Sequence, residues 1–198
     1  MKLTHYKPLL TLGLFAAALL PVAAAEPDAD QLLRQMSDKL AAAKSFSFEA
    51  TREIDPALVE GMKVMGKAHI TASVQRPNML TAHARGKDGA RRIVFDGNTL
   101  SILDEKMNHY ATVPMHTSID GLVEQLDEKF GFTPPLAEFA LSNPYADFHK
   151  QAHTVTYLGR GKTKAGFLGL SGVECHRISL KGKEADAELW IAVSDLLP

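Results

Sequence analysis

The sequence predicts an α+β fold in which helices cover a curved antiparallel sheet. Three observations favour this class. A helical spacing of apolar residues begins after residue 28, alternating segments joined by tight-turn sequences follow it, and two helical segments begin near residues 118 and 134. Consecutive strands joined by tight turns pair antiparallel, so the helices are available to cover one face of the sheet.

The first 25 residues have the pattern of a secretory signal peptide. Lys2 and Lys7 are positively charged, residues 9–22 are almost wholly apolar, and residues 23–25 are small alanines suited to cleavage. A membrane anchor is the competing interpretation, but the run over residues 9–25 is at the short limit for a bilayer span, and Pro21 interrupts it. We therefore expect cleavage, export to the periplasm and a single domain over residues 26–198.

Composition excludes two classes of protein. Removing the predicted signal peptide removes two lysines and no acidic residue, which leaves a small acidic excess. Nucleic-acid binding usually requires a clear basic excess, so we expect no nucleic-acid partner. Cys175 is the only cysteine, which excludes a disulfide-stapled fold, because no intramolecular disulfide can form and the core must hold the fold.

Periodicity places a helix first and strands after it. Asp28 or Asp30 can cap a helix whose apolar residues recur every three or four positions until Lys44. From Phe46 onward apolar and polar residues alternate, and residues 96–98 (Asp-Gly-Asn) have the composition of a tight hairpin turn. The predicted strands cover residues 45–54, 66–75, 79–85, 93–95, 99–103, 110–113, 153–158, 173–180 and 186–193.

Two helical segments are inserted between these strands. Ser118 can cap a helix with an apolar stripe over residues 119–130, and Gly131 follows as its stop signal. Residues 134–140 begin with two prolines and are predicted to form a shorter helix, which Asn143-Pro144 ends.

No residue pattern in the chain assembles a catalytic site. His149 and His153 have the spacing of two metal ligands on one helix face, but their segment runs into a predicted strand. Cys175 and His176 are neighbours on a strand, so their side chains point to opposite faces. We therefore expect no enzyme activity, no metal and no cofactor.

The apolar residues permit two interpretations. They can form an ordinary close-packed core, or the sheet and its helices can leave a cavity for an apolar ligand. Both arrangements bury the same faces of the same elements, so periodicity does not separate them.

The order of several short motifs resembles known families. Residues 75–80 (Gln-Arg-Pro-Asn-Met-Leu) precede Phe-Asp-Gly-Asn-Thr-Leu at 95–100. This order resembles the periplasmic carriers of outer-membrane lipoproteins, the LolA-like proteins. The chain more closely resembles a family of predicted periplasmic proteins of unknown function, which shares Tyr-Leu-Gly (157–159), Gly-x-x-Cys-His (172–176) and Leu-Trp-Ile (189–191).

The resemblance implies an incomplete β-barrel, in which helices close a strongly curved antiparallel sheet over a hydrophobic cavity. In the carriers this cavity accepts acyl chains, and the arginine of Arg-Pro-Asn acts as a latch that holds the lid closed by bonding to backbone carbonyls. That latch role transfers to Arg76, for which an ordinary solvated arginine is the competing interpretation. The lid would be residues 111–139. The family pattern continues past Pro198, so we expect the sequence to be truncated at its C-terminus.

The resulting hypothesis is a periplasmic, non-enzymatic carrier or sensor for a lipid, acyl chain or acylated protein. We expect a monomer that contacts inner- or outer-membrane components transiently. The alternative is a cell-envelope protein-interaction module with a filled core and no ligand. The residues predicted to line the cavity are Phe46, Phe48, Ile70, Val74, Phe95, Ile102, Leu126, Phe130 and Phe139.

Overall fold

The computed structural model describes residues 26–53, 67–87, 89–131, 133–134, 136–163, 172–182 and 186–198. The predicted signal peptide lies outside the described residues, as do residues 54 and 66 of the predicted strands. In chain order the elements are α1 (Ala29–Ala42), β1 (Ser45–Glu53), β2 (Lys67–Gln75), β3 (Met79–Gly86), β4 (Gly89–Phe95), β5 (Thr99–Asp104), β6 (His109–Pro114), α2 (Ile119–Phe130), a 3₁₀ turn (Ala137–Phe139), α3 (Pro144–Gln151), β7 (Ala152–Lys162), β8 (Glu174–Gly182) and β9 (Asp186–Ala192).

The described strands form two antiparallel sheets. The larger sheet has the order β1-β2-β3-β4-β5-β6, and the smaller has the order β7-β8-β9. Within each sheet every strand pairs with its neighbour in sequence, and β2–β3, β4–β5 and β5–β6 are joined by short turns, as expected of antiparallel neighbours. The larger sheet is not closed, because β1 and β6 are its two terminal strands. The predicted α+β class is confirmed.

One face of the larger sheet carries two apolar rows that cross all six strands. The first row consists of Phe46, Val74, Leu80, Phe95, Leu100 and Val113. The second row consists of Phe48, Ala72, Ala82, Ile93, Ile102 and Ala111. The two alanines near the middle of the second row are short, so this row fills less space above the sheet than the first row.

The helices pack against the two sheets in separate buried clusters. Leu122 of α2 lies in one buried cluster with Phe95 and Leu100 of the larger sheet. Met36 of α1 lies in another cluster with Ile178 of the smaller sheet. Helix α2 therefore covers the larger sheet, whereas α1 and α3 pack beside the smaller one.

The predicted local signals begin α1 and α2 and end α2. Asp28 caps α1 by accepting from the N–H of Asp30 at 2.9 Å, and Ser118 caps α2 by accepting from the N–H of Gly121 at 3.2 Å. Gly131 ends α2 with φ of 57°, a left-handed conformation that glycine adopts without steric cost.

Three predicted elements differ from the structure. The lid prediction from residue 111 is wrong at its start, because residues 111–114 pair with β5 as part of β6. The helix predicted over residues 134–140 is only the 3₁₀ turn Ala137–Phe139, and residue 135 lies outside the described residues. Asn143-Pro144 starts α3 instead of ending a helix: the Asn143 side chain accepts from Ala146 N–H, and proline is favoured in a first helical turn.

Candidate ligand-binding groove

A small cavity of about 70 Å³ lies between the second row of the larger sheet and α2. All of its described lining residues are apolar, among them Ala72, Ala82, Leu122 and Leu126. The short alanine side chains leave this space, which we call the inner cavity. Ligand pockets usually measure roughly 300–1,000 Å³, so the inner cavity alone is too small to hold a ligand.

A larger depression of about 500 Å³ follows the outer edge of β1, and we call it the β1 groove. Its volume lies within the usual range of ligand pockets. Most of its wall is apolar, with polar groups contributed by Ser45, Ser47 and Glu49. The groove is lined by Leu40, Ala43, Ser45, Phe46, Ser47, Phe48, Glu49, Ala50, Leu136, Phe139, Leu197 and Pro198.

Aromatic rings make much of the groove wall. The rings of Phe46 and Phe48 are stacked with centroids 6.3 Å apart, and Phe48 lies 6.1 Å from Phe139. Phe139 in turn meets the buried ring of Phe148 of α3 edge-on, at 5.6 Å. This series anchors the groove wall in the core of α1 and α3, because Phe148 belongs to that cluster.

The polar groups of the groove belong to the outer edge of β1. Among the described residues no strand pairs with that edge. The Arg76 N–H bonds to the Lys44 carbonyl at 2.8 Å, so Lys44 directs its carbonyl toward the β2 side. Hydrogen-bonding direction alternates along an antiparallel strand, and Ser45, Ser47 and Glu49 therefore direct their backbone groups toward the groove.

Arg76 joins two segments that border the groove. Its Nη1 donates to the Ala140 carbonyl at 2.6 Å, and its Nη2 donates to the Leu40 carbonyl at 3.3 Å. The guanidinium also lies 5.7 Å from the centre of the Phe46 ring. Burial lowers the pKa of Arg76, and the charge of Asp120 opposes that change. The side chain thus ties the residue after the 3₁₀ turn to the end of α1.

The same segment is also tied to α2. Asp120, in the first turn of α2, accepts a hydrogen bond from the Ser142 N–H at 2.9 Å, and it accepts another from the Ser142 hydroxyl. Residues 140–142 are therefore held from two directions, by Arg76 and by Asp120.

Six of the nine residues predicted to line a cavity lie in the wall of the β1 groove, of the inner cavity or of both. Phe46 and Phe139 line the β1 groove, Ile70, Ile102 and Leu126 line the inner cavity, and Phe48 lines both. Val74 and Phe95 lie in neither wall, because they are packed in buried clusters at 2% and 1% exposure. Phe130 lies at the end of α2 with 60% of its surface exposed. It therefore lies outside both walls, contrary to the prediction.

Leu136 is not among the residues predicted to line a cavity. It lies outside any regular element and adopts a left-handed conformation, with φ of 64°, so periodicity does not indicate where its side chain lies. A leucine in this region is uncommon, and its sequence neighbours carry no signal for it. Leu136 lines both the inner cavity and the β1 groove.

His176 is a buried titratable residue of the smaller sheet. Its Nδ1 lies 3.1 Å from the Tyr157 hydroxyl, and only 7% of its surface is exposed. Burial is the largest effect on its pKa and lowers it from 6.5; the charge of Arg160 lowers it further, and Glu174 opposes the change. The neutral ring, which can accept the Tyr157 proton, is therefore favoured in the folded protein.

Acidification should destabilise the protein through His176. A histidine whose folded pKa is lowered binds a proton more readily in the unfolded chain, so its contribution to stability is complete above pH 6.5 and is lost as the pH falls below that value. We expect the free energy of unfolding, measured by urea denaturation, to decrease as the pH is lowered from about 7 to about 5, the range in which histidine titrates.

Two variants separate this effect from other titrations. His176→Gln should flatten the pH dependence, whereas His153→Gln, at an exposed position of β7, should preserve it. An identical slope in His176→Gln and the unmodified protein would assign the acid sensitivity to other groups.

His149 of α3 contacts an aspartate of α1. Its Nε2 lies 2.7 Å from Asp30, and the Tyr145 hydroxyl donates to the same carboxylate at 2.8 Å. Burial raises the pKa of Asp30, but the hydrogen bonds from Tyr145 and His149 outweigh it and hold the pKa below its ordinary value. This cluster fastens α3 to α1, and no group of metal-binding side chains occurs among the described residues.

The fold and the groove define an α+β protein with an apolar groove beside an edge of an unclosed antiparallel sheet that no described strand covers. The chain belongs to the family described as "Predicted periplasmic protein (DUF2092)", whose model matches residues 29–198. The predicted periplasmic localisation and the predicted resemblance to such a family are confirmed. Comparison with curated proteins finds no match. No helix within the described part of the chain is long and apolar enough to cross a membrane.

Proposed function

We propose that this periplasmic protein is a non-enzymatic carrier or sensor that binds an acyl chain, from a lipid or an acylated protein, in the β1 groove. The observation that carries the proposal is the groove itself, about 500 Å³ in volume and walled by phenylalanine, leucine and alanine side chains. Its size is that of known ligand pockets. In this proposal the protein acts as a monomer that transiently contacts the membranes on either side of the periplasm.

The binding energy would come from burial of methylene groups. Each buried methylene contributes about 0.8 kcal/mol, which is about a fourfold change in affinity. A ligand held in this way needs no polar contact with its chain, in agreement with the apolar wall that Phe46, Phe48 and Phe139 provide. Affinity that rises by this factor with each added carbon is the signature of the proposed mode.

The contacts of Arg76 support the proposed likeness to the LolA-like carriers. In those proteins the corresponding arginine bonds to backbone carbonyls and holds the lid closed. Here Arg76 donates to the carbonyls of Ala140 and Leu40, and both residues border the cavities described above. In the proposed mechanism residues 136–142 act as the lid, and breaking these bonds admits the ligand.

The first test is native mass spectrometry of residues 26 onward, purified from a bacterial periplasm. The purified chain should include any residues that the gene encodes beyond Pro198. A discrete lipid or acyl species that co-purifies and is recovered by organic extraction would support the proposal. A ligand-free mass, together with no binding of added fatty acids or lipopeptides, would contradict it.

A pair of variants on β1 tests the position of the site. Ala50→Glu puts a charge into the groove wall, whereas Thr51→Glu puts the same charge on the next, exposed residue, which points to the opposite face. In a titration with cis-parinaric acid we expect Ala50→Glu to weaken binding at least about tenfold, equivalent to about 1.4 kcal/mol. Thr51→Glu should bind as the unmodified protein does. Equal affinity of the two folded variants would place the site elsewhere.

A second candidate function is a protein-interaction module of the cell envelope. The outer edge of β1 favours it, because no described strand pairs with the backbone groups of Ser45, Ser47 and Glu49 there. An extended polypeptide can add to such an edge as a further strand. This candidate would gain from a ligand-free mass in the first test.

A further inference from the structure

We infer that Leu136 sets the length of acyl chain that the site accepts. The inference rests on the proposed function of the β1 groove. In the inferred arrangement, Leu136 and Phe48 form a partition that stops a chain in the groove from entering the inner cavity.

The two cavities meet at these two side chains. Among the residues that line them, Phe48 and Leu136 are common to both walls. Phe48 belongs to β1, and Leu136 is the residue that precedes the 3₁₀ turn. The pair therefore stands between the groove and the inner cavity.

The inner cavity is suited to the end of a hydrocarbon chain. Its described wall contains only apolar side chains, among them Ile93, Ile102 and Val123. Most of its surface is apolar and offers a water molecule few hydrogen-bonding partners, which favours hydrocarbon over water there. Its volume is about 70 Å³. If a methylene group takes about the 30 Å³ that a water molecule occupies in the liquid, the inner cavity holds about two methylene groups.

The backbone of Leu136 supports a role for its side chain. With φ of 64° the residue occupies the left-handed region, where a side chain has a steric cost that glycine does not have. Glycine would serve better if only the direction of the chain mattered. A leucine in a costly conformation, with its side chain between two cavities, points to a function for the side chain.

The test is a binding series with unbranched saturated fatty acids from octanoic to stearic acid, measured by displacement of cis-parinaric acid. In the unmodified protein we expect affinity to rise with chain length until the groove is filled, and then to stop rising. Leu136→Ala and Leu136→Gly should each move this plateau by about two carbons. The longest acids should then bind about fifteenfold more tightly, from about fourfold for each methylene.

Two controls distinguish the partition from a general change in the groove. Leu197→Ala makes the same substitution at a residue that lines the groove alone, and its plateau should stay where it is in the unmodified protein. Thermal unfolding should show Leu136→Gly to be at least as stable as Leu136→Ala, because glycine accepts the positive φ.

The possible failures are distinguishable. If the unmodified protein binds the acids but neither Leu136 variant moves the plateau, the partition is wrong and the proposed function stands. A plateau that moves equally in Leu197→Ala also overturns the partition. If the unmodified protein binds none of the acids, the proposed function fails and the role of Leu136 fails with it.

Discussion

Replacing Phe95 by alanine should lower the free energy of unfolding by about 3–5 kcal/mol, the usual cost of deleting a buried phenylalanine ring. Phe95 has 1% of its surface exposed and lies under α2 in the cluster with Leu100 and Leu122. Its ring fills the first row of the larger sheet, so its removal leaves a cavity that the sheet and α2 can close only in part. Urea denaturation monitored by circular dichroism measures the change.

Val94→Ala is the matched control. Val94 precedes Phe95 on β4, points to the opposite face and is 40% exposed, so its truncation should cost less than about 1 kcal/mol. Similar losses for the two variants would mean that Phe95 does not pack as described. A small loss for Phe95→Ala would instead fit the open cavity that the carrier hypothesis places at this position.

Replacing Arg76 by methionine should lower the free energy of unfolding by about 2 kcal/mol and loosen the residues that border the groove. The variant keeps an unbranched apolar stem but removes both donors, to Ala140 and to Leu40. Hydrogen bonds from charged groups usually contribute about 1.5–3 kcal/mol each, and the partial exposure of Arg76 lets water replace part of that loss.

Hydrogen exchange locates the effect of this change. The Ala140 amide bonds to the Ala137 carbonyl at 2.8 Å, and we expect its protection to fall in Arg76→Met. Arg76→Lys keeps the charge on a single terminal nitrogen. Its stability and its Ala140 protection should lie between those of Arg76→Met and the unmodified protein. Unchanged stability and unchanged protection in Arg76→Met would show that Arg76 does not hold these segments together and would remove the support that it lends to the proposed lid.

Features that depend on near neighbours in the chain agree with the sequence predictions. The Asp28 and Ser118 caps and the Gly131 stop are local hydrogen-bonding and steric effects, and the structure contains all three. The turn at residues 96–98 contains Gly97 with φ of 87°, where an added Cβ would lie 2.7 Å from the Asn78 Cγ. The α3 helix was missed because Asn-Pro can begin a helix as well as end one.

Alternation also predicted the orientation of the candidate residues. Phe46, Val74 and Phe95 share one row of the larger sheet, and Phe48 and Ile102 share the next. A period of two specifies the face of a sheet, but it carries no information on what covers each position. Phe95 lies beneath α2 and is buried, whereas Phe48 lies at an edge strand beside open space.

The sequence by itself determined export, the α+β class, the helix caps and the face of each strand, because these properties depend on residues close together in the chain. Tertiary structure decided that no described strand covers the outer edge of β1, that α2 nearly fills the space above the second row, and that a groove remains beside β1. It also placed Leu136 and Phe48 in the walls of both the groove and the inner cavity. Cavity volumes and edge exposure depend on how residues distant in sequence pack together, and periodicity carries no record of that packing.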